Sequence, residues 1–308
     1  KAQLAVQRLR DQANACLRAL YPTLCPGGSF ENDTIPTLFR LQLQAKNTVA
    51  EMNALLKSSV ETLIHNLIPD NAGEYAAALR LELLDRVADE WTSADAENRI
   101  ASPDFLWDDF TLRLARANAK DKLKADFAAR PGWDDGTLTA LADDGILAGC
   151  SSQAELDAEL TRANLRADWY EQVAAYRKNI RNTMAPHDDT ALLAQLDSIF
   201  SEVNSAILAV SWSDADAKTA WNAAYDRGTE RLESLLNDAR AEKFIGDYAD
   251  VLADAEPAPE KDRILAAITA FDSLSPEVRS RLESERTRIA ERLRDQLLKE
   301  IRDLNSQD

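Results

Sequence analysis

The sequence predicts an all-α fold, with long antiparallel helical hairpins forming an elongated bundle or two packed helical subdomains. Three observations carry this expectation. Ala and Leu supply much of an apolar content of 45%, while Gly (9) and Pro (10) are scarce and aromatics reach only 6%; these are strong helix formers with few breakers. Apolar residues recur every three to four positions along most of the chain, and the strict alternation of half-buried strands is essentially absent. Finally, 308 residues exceed what one hydrophobic core usually serves.

The first helix is predicted over residues 2–20, on Leu4, Val6, Leu9, Ala13, Cys16, Leu17 and Leu20, with a stop at Tyr21-Pro22. Pro22 to Asp33, containing Cys25-Pro26-Gly27-Gly28, reads as loop. Thr34 caps a second helix with Pro36 in its first turn, where a missing N–H costs nothing. Apolar positions from Leu38 to Leu67 predict that this helix runs unbroken to Pro69, roughly 45–50 Å at 1.5 Å per residue. A third helix follows Gly73 on Leu79, Leu83, Leu84, Val87 and Trp91. A fourth opens at Ser102-Pro103-Asp104, a cap with acid in the first turn, and stops at Pro131-Gly132.

Punctuated text from Pro131 to Ser152, with a small helix on Leu138, Leu141, Ile146 and Leu147, marks the expected junction between an N-terminal subdomain (1–131) and a C-terminal one (132–308). A long helix is predicted from Ser152 to Met184, ended by Pro186, and further helices over 188–211, 214–245, 260–273 and 276–304. The last bears Val278, Leu282, Ile289, Leu293, Leu297, Ile301 and Leu304, a stripe with one gap that suits a bundle or coiled coil. Gly246 reads as a turn and Glu256 to Glu260 as a linker. Trp91-Thr92-Ser93-Ala94-Asp95-Ala96 is similar to Trp212-Ser213-Asp214-Ala215-Asp216-Ala217, but an anchoring Trp before a cap arises from capping physics alone, so no repeat architecture is assigned.

Asp and Glu total 53 against 36 Lys and Arg, a net charge of −17, which disfavours phosphate backbones and anionic lipid and predicts no nucleic-acid or membrane partner. No run approaches the roughly 18 apolar residues of a membrane span. Cys16, Cys25 and Cys150 form no CxxC pair, so a soluble protein of a reducing, cytoplasmic compartment without disulfide framework or zinc site is expected. The sequence opens at Lys1 inside an amphipathic pattern with no preceding cap, which predicts a region of a longer protein.

Catalytic chemistry has few residues to stand on. There are two histidines. Glu61 and His65 share a helix face at i, i+4, but the Glu-x-x-His pairs of a di-iron bundle are missing, and a structural histidine is the plainer reading. Arg181-Asn182-Thr183-Met184-Ala185-Pro186-His187 resembles, over seven residues, the Arg-Asn-x(n)-His signature of HEPN-type ribonucleases, which are all-α. The resemblance implies His187 as general acid or base and Arg181 as the group stabilising the phosphate in the transition state. The bland alternative is a helix end whose Arg and His interact with the C-terminal dipole, and Pro186 and Asp188-Asp189 fit that better than a phosphate site.

Neither Cys25 nor Cys150 is paired with a histidine by any pattern, and no phosphate-cradling glycine motif is present. Asp134-Asp135-Gly136 and Asp143-Asp144-Gly145 lack the spacing of a calcium loop. No cofactor is therefore expected. Trp107-Asp108-Asp109 and Trp133-Asp134-Asp135 remain as partner-binding candidates, centred on Trp107, Trp133, Asp134 and Asp135 because tryptophan is enriched in interaction hot spots; core anchors beside caps are the alternative.

Together these features predict a non-catalytic helical scaffold or protein-interaction module whose partner is another protein, one with a basic surface, with oligomerisation open. The alternatives are the HEPN-like ribonuclease using Arg181 and His187, and a helical regulatory region of a large ATPase-type machine whose nucleotide site lies elsewhere.

Overall fold

A computed structural model describes residues 2–92, 105–130, 147–255 and 257–306, and among them twelve helices and no strand. The chain divides into two compact units, Lys1–Thr161 and Arg162–Asp308. The junction expected at residue 131, the opening of the fourth predicted helix at Ser102, and nearly all of the small helix around Leu138 lie outside the described residues.

In the first unit, α1 (Ala2–Leu24), α2 (Thr34–Leu43), α3 (Val49–Leu67) and α4 (Glu74–Thr92) share one core, with α5 (Phe110–Ala128) packed on α4. Leu17, Tyr21 and Leu24 of α1, Phe39 of α2, Met52, Leu56, Val60 and Ile64 of α3 and Leu83 and Val87 of α4 are almost fully buried. Each buried side chain of this size contributes about 1.5–3 kcal/mol over its exposed state. A smaller cluster joins Ala119 and Leu147 to Cys150 and Leu156, the last at the start of α6 (Gln153–Met184).

Two expectations fail here. The first helix does not stop at Tyr21-Pro22; it continues to Leu24 with Pro22 inside it. Pro22 sits on the exposed side, while Leu24, 1% exposed, gains from one more turn. The second predicted helix is two helices, broken at residues 44–48. Thr48 and Glu51 form a reciprocal capping box that starts α3, and Arg10 of α1 donates Nε and Nη2 to the Lys46 carbonyl at 3.0 and 2.9 Å, satisfying an acceptor left by the break.

In the second unit, α6 continues to Met184 and is followed by α7 (Thr190–Ala209), α8 (Ala217–Asp247), α9 (Ala249–Leu252), α10 (Lys261–Ser273), α11 (Pro276–Arg281) and α12 (Glu283–Asn305). The fully buried Trp169 of α6 donates Nε1 to the Phe200 carbonyl at 3.3 Å and meets Tyr225 edge to face. Gly228 of α8 makes this approach possible, because a Cβ there would fall 2.7 Å from Trp169 and from Val203. Phe244, Val251, Ile264, Ala267, Phe271, Val278, Leu282 and Ile289 form the remaining core.

Gly246, expected as a turn, lies inside α8, where its missing side chain admits His187. The last predicted helix is interrupted at Leu282, at the start of the gap in its apolar stripe.

Candidate functional site

The His187 loop follows the end of α6. His187 Nε2 lies 2.7 Å from Asp247 Oδ1, and Lys243 Nζ lies 3.1 Å from Asp247 Oδ2 and 3.3 Å from the Ala185 carbonyl. Partial burial works against the Asp247 carboxylate, but hydrogen bonds from His187 and Lys243 outweigh it and hold this carboxyl below its ordinary range. The imidazole rests on Gly246, whose Cβ would fall 2.7 Å from Cε1. Arg181 is exposed and adds no hydrogen bond or ion pair to this cluster; its carbonyl accepts from Ala185 N at 3.1 Å. The cluster therefore ties the α6–α7 connection to the end of α8. His65, the other histidine, lies 3.6 Å from Asp70, which pairs with Arg80 at 2.8 Å.

Trp107 is half-buried, stacked on Phe110 with ring centroids 6.4 Å apart. The Arg113 and Arg86 guanidiniums lie 3.8 and 4.5 Å from its ring centroid, and Arg113 also pairs with Glu82 at 2.9 Å. These cations, one from α4 and one from α5, lie over the ring and tie Trp107 to both helices. Trp133, Asp134 and Asp135 lie outside the described residues. Beside Trp107, a cleft of about 400 Å³ is lined by Tyr75, Leu79, Arg116, Lys120, Leu123 and others, with Lys120 Nζ 4.1 Å from the Tyr75 ring centroid.

Four of the exposed large apolar side chains among the described residues lie on α12. Its first half is fastened to the unit, with Ile289 buried and Leu293 packed against the core. Along its second half, Leu297, Leu298, Ile301 and Leu304 are 40%, 45%, 53% and 66% exposed. Positions 297, 301 and 304 share one helical face, so the stripe predicted from periodicity emerges from the core and continues bare. Lys261 pairs with Glu300 at 3.1 Å along its edge.

Sequence reasoning identified the stripe but not its exposure, since the pattern reads the same whether or not a neighbour covers it. No helix among the described residues is long and apolar enough to cross a membrane. No protein-family model, curated protein or solved structure matches the chain.

Proposed function

We infer that the chain is a non-catalytic helical interaction module that binds an amphipathic helix of another protein along α12. The observation that carries this reading is the bare apolar face at Leu297, Ile301 and Leu304, a face that helix-in-groove recognition uses at i, i+4 and i+7. The partner helix is basic beside its apolar stripe. A net charge of −17 attracts such a helix at long range and repels a second copy of this chain. A face of three side chains also falls short of the roughly 800 Å² per partner buried in a standard stable interface, which fits transient binding. Three free thiols suit a reducing cytoplasm.

The ribonuclease reading needs His187 and Arg181 at one phosphate. The contacts of His187 with Asp247 and Gly246 favour a structural clasp instead.

A fluorescein-labelled helical peptide with one leucine stripe flanked by lysines tests the proposal by anisotropy. Saturable binding on the order of micromolar is expected for so small an interface. Ile301→Gln with Leu304→Gln, both at exposed positions, should leave the circular dichroism unchanged and weaken binding at least about tenfold. Equal affinity of parent and double variant would contradict it, as would a parent chain that sediments as a dimer and loses that dimer on the same substitutions.

A further inference from the structure

Beyond α12, the geometry points to a second site, in the first unit, that takes a small apolar molecule carrying a primary ammonium group. A cavity of about 460 Å³ opens between the end of α1, the start of α2 and the end of α3, with Leu24, Ile35, Pro36, Leu63 and Leu67 in its walls. That volume and a lining divided between apolar and polar side chains suit a small-molecule ligand. Five polar side chains also line it, Thr34 and Asn66 among them, and three of the five, Tyr21, Cys25 and Asp33, have capacity left over.

Tyr21 is 2% exposed, and its hydroxyl has no hydrogen-bond partner. Buried hydroxyls are almost always satisfied, so an unpartnered one on a side chain that lines a cavity signals an absent partner. Asp33 stands at the N-cap of α2, where an aspartate ordinarily accepts a backbone N–H from the first turn, yet its side chain makes no capping bond. Its carboxylate receives only the weak Cys25 thiol, at 3.8 Å, and no cation pairs with it among the described residues. Gly28 marks where these groups converge: a Cβ there would fall 2.7 Å from both Asp33 Oδ2 and Cys25 Sγ, and closer still to the Tyr21 hydroxyl.

A carboxylate and a phenolic oxygen converging beside apolar walls offer acceptors to a donor-rich cation. An alkylammonium supplies three N–H donors and one positive charge on an apolar body. A carboxylate ligand would meet Asp33 as a like charge, and an alcohol would leave the charge unanswered.

Isothermal titration of the full chain with hexylamine, protonated at neutral pH, and with hexan-1-ol and hexanoate tests this. Hexylamine should bind at least about tenfold more tightly than hexan-1-ol, and hexanoate should not bind. Asp33→Asn should bring the amine-to-alcohol ratio to about one. Gly28→Ala should fill the cradle and abolish amine binding, while Tyr21→Phe should weaken it several-fold without destabilising the ligand-free chain. Circular dichroism checks that each variant keeps its fold. The proposal is overturned by equal affinity for amine and alcohol, by a preference that survives Asp33→Asn, by unchanged amine binding in Gly28→Ala, or by a ligand-free Tyr21→Phe chain less stable than the parent, which would show that solvent already satisfies the hydroxyl.

Discussion

At the scale of single residues, this chain places small and reactive groups according to what stands opposite them. Gly246 is the clearest case. A glycine inside a helix costs roughly 0.5–1 kcal/mol relative to alanine, and here that cost admits the His187 ring, itself bonded to Asp247 at 2.7 Å. Gly246→Ala should therefore destabilise the chain by about 1–3 kcal/mol through overpacking. In a His187→Ala background the same change should instead stabilise it by up to about 1 kcal/mol. Urea denaturation of the four chains checks the reversal of sign, and its absence would remove the clasp from the account.

The thiols follow the same logic. Burial pushes Cys16 up to about 12, and Cys16 and Cys150 are buried while Cys25 is half-buried. A chromogenic disulfide at pH 8 should label Cys25 in the native chain and reach the other two only on unfolding. The His187 clasp could not be read from the sequence, because it depends on residues tens of positions away. The Arg181-to-His187 spacing was visible there; that Asp247 engages His187 was not.

At the scale of elements, the boundaries depend on caps more than on periodicity. The helical period runs through residues 44–48 without fault, which is why one helix was expected where α2 and α3 stand. The signal for the break was nonetheless local: Thr48 and Glu51 have the spacing of a capping box. What could not be seen was Arg10 reaching across from α1 to the Lys46 carbonyl. Pro22 misled in the opposite sense, since a proline on the wet side of a helix end is tolerated when the next turn is buried. Thr48→Ala should cost about 1 kcal/mol, measured as a lower urea midpoint.

The caps also set a pH dependence. Hydrogen bonds from the Asn47 backbone and from Thr48 hold the Glu51 carboxyl below its ordinary range, and those from Ser151 do the same for Glu155 at the start of α6. Groups depressed in this way bind protons less readily folded than unfolded. Their stabilisation is thus present above the ordinary carboxylate range and is lost as pH falls through the depressed values. Urea midpoints should hold between neutral pH and the ordinary carboxylate range and drop below it, and Glu51→Gln should lower the midpoint at neutral pH and flatten the drop. A midpoint that rises on acidification would contradict the assignment.

At the scale of the whole molecule, composition was the most informative part of the sequence. Scarce glycine and proline, abundant Ala and Leu and long apolar stripes specified an all-α chain, and the described residues are helical with no strand. The proposed function was far less visible, because an interaction surface of the kind proposed is a remainder: the apolar area that no neighbour within the unit covers. Trp107, singled out by type, is engaged by arginines of its own unit. The residues left bare, Leu297 to Leu304, looked in the sequence like any other core stripe. An exterior of net charge −17 further predicts that binding of a basic helix weakens as salt screens the attraction, which titrations at rising ionic strength would show as a falling affinity.

The most direct measurement is amide hydrogen exchange of the full chain with and without saturating basic leucine-striped peptide. Docking on α12 predicts slowed exchange from about Arg294 to Asn305, where the helix is otherwise bare and open to local unfolding, with the remaining helices unchanged. Exchange in that segment that the peptide leaves untouched, or protection appearing at the α4–α5 cleft instead, would contradict it.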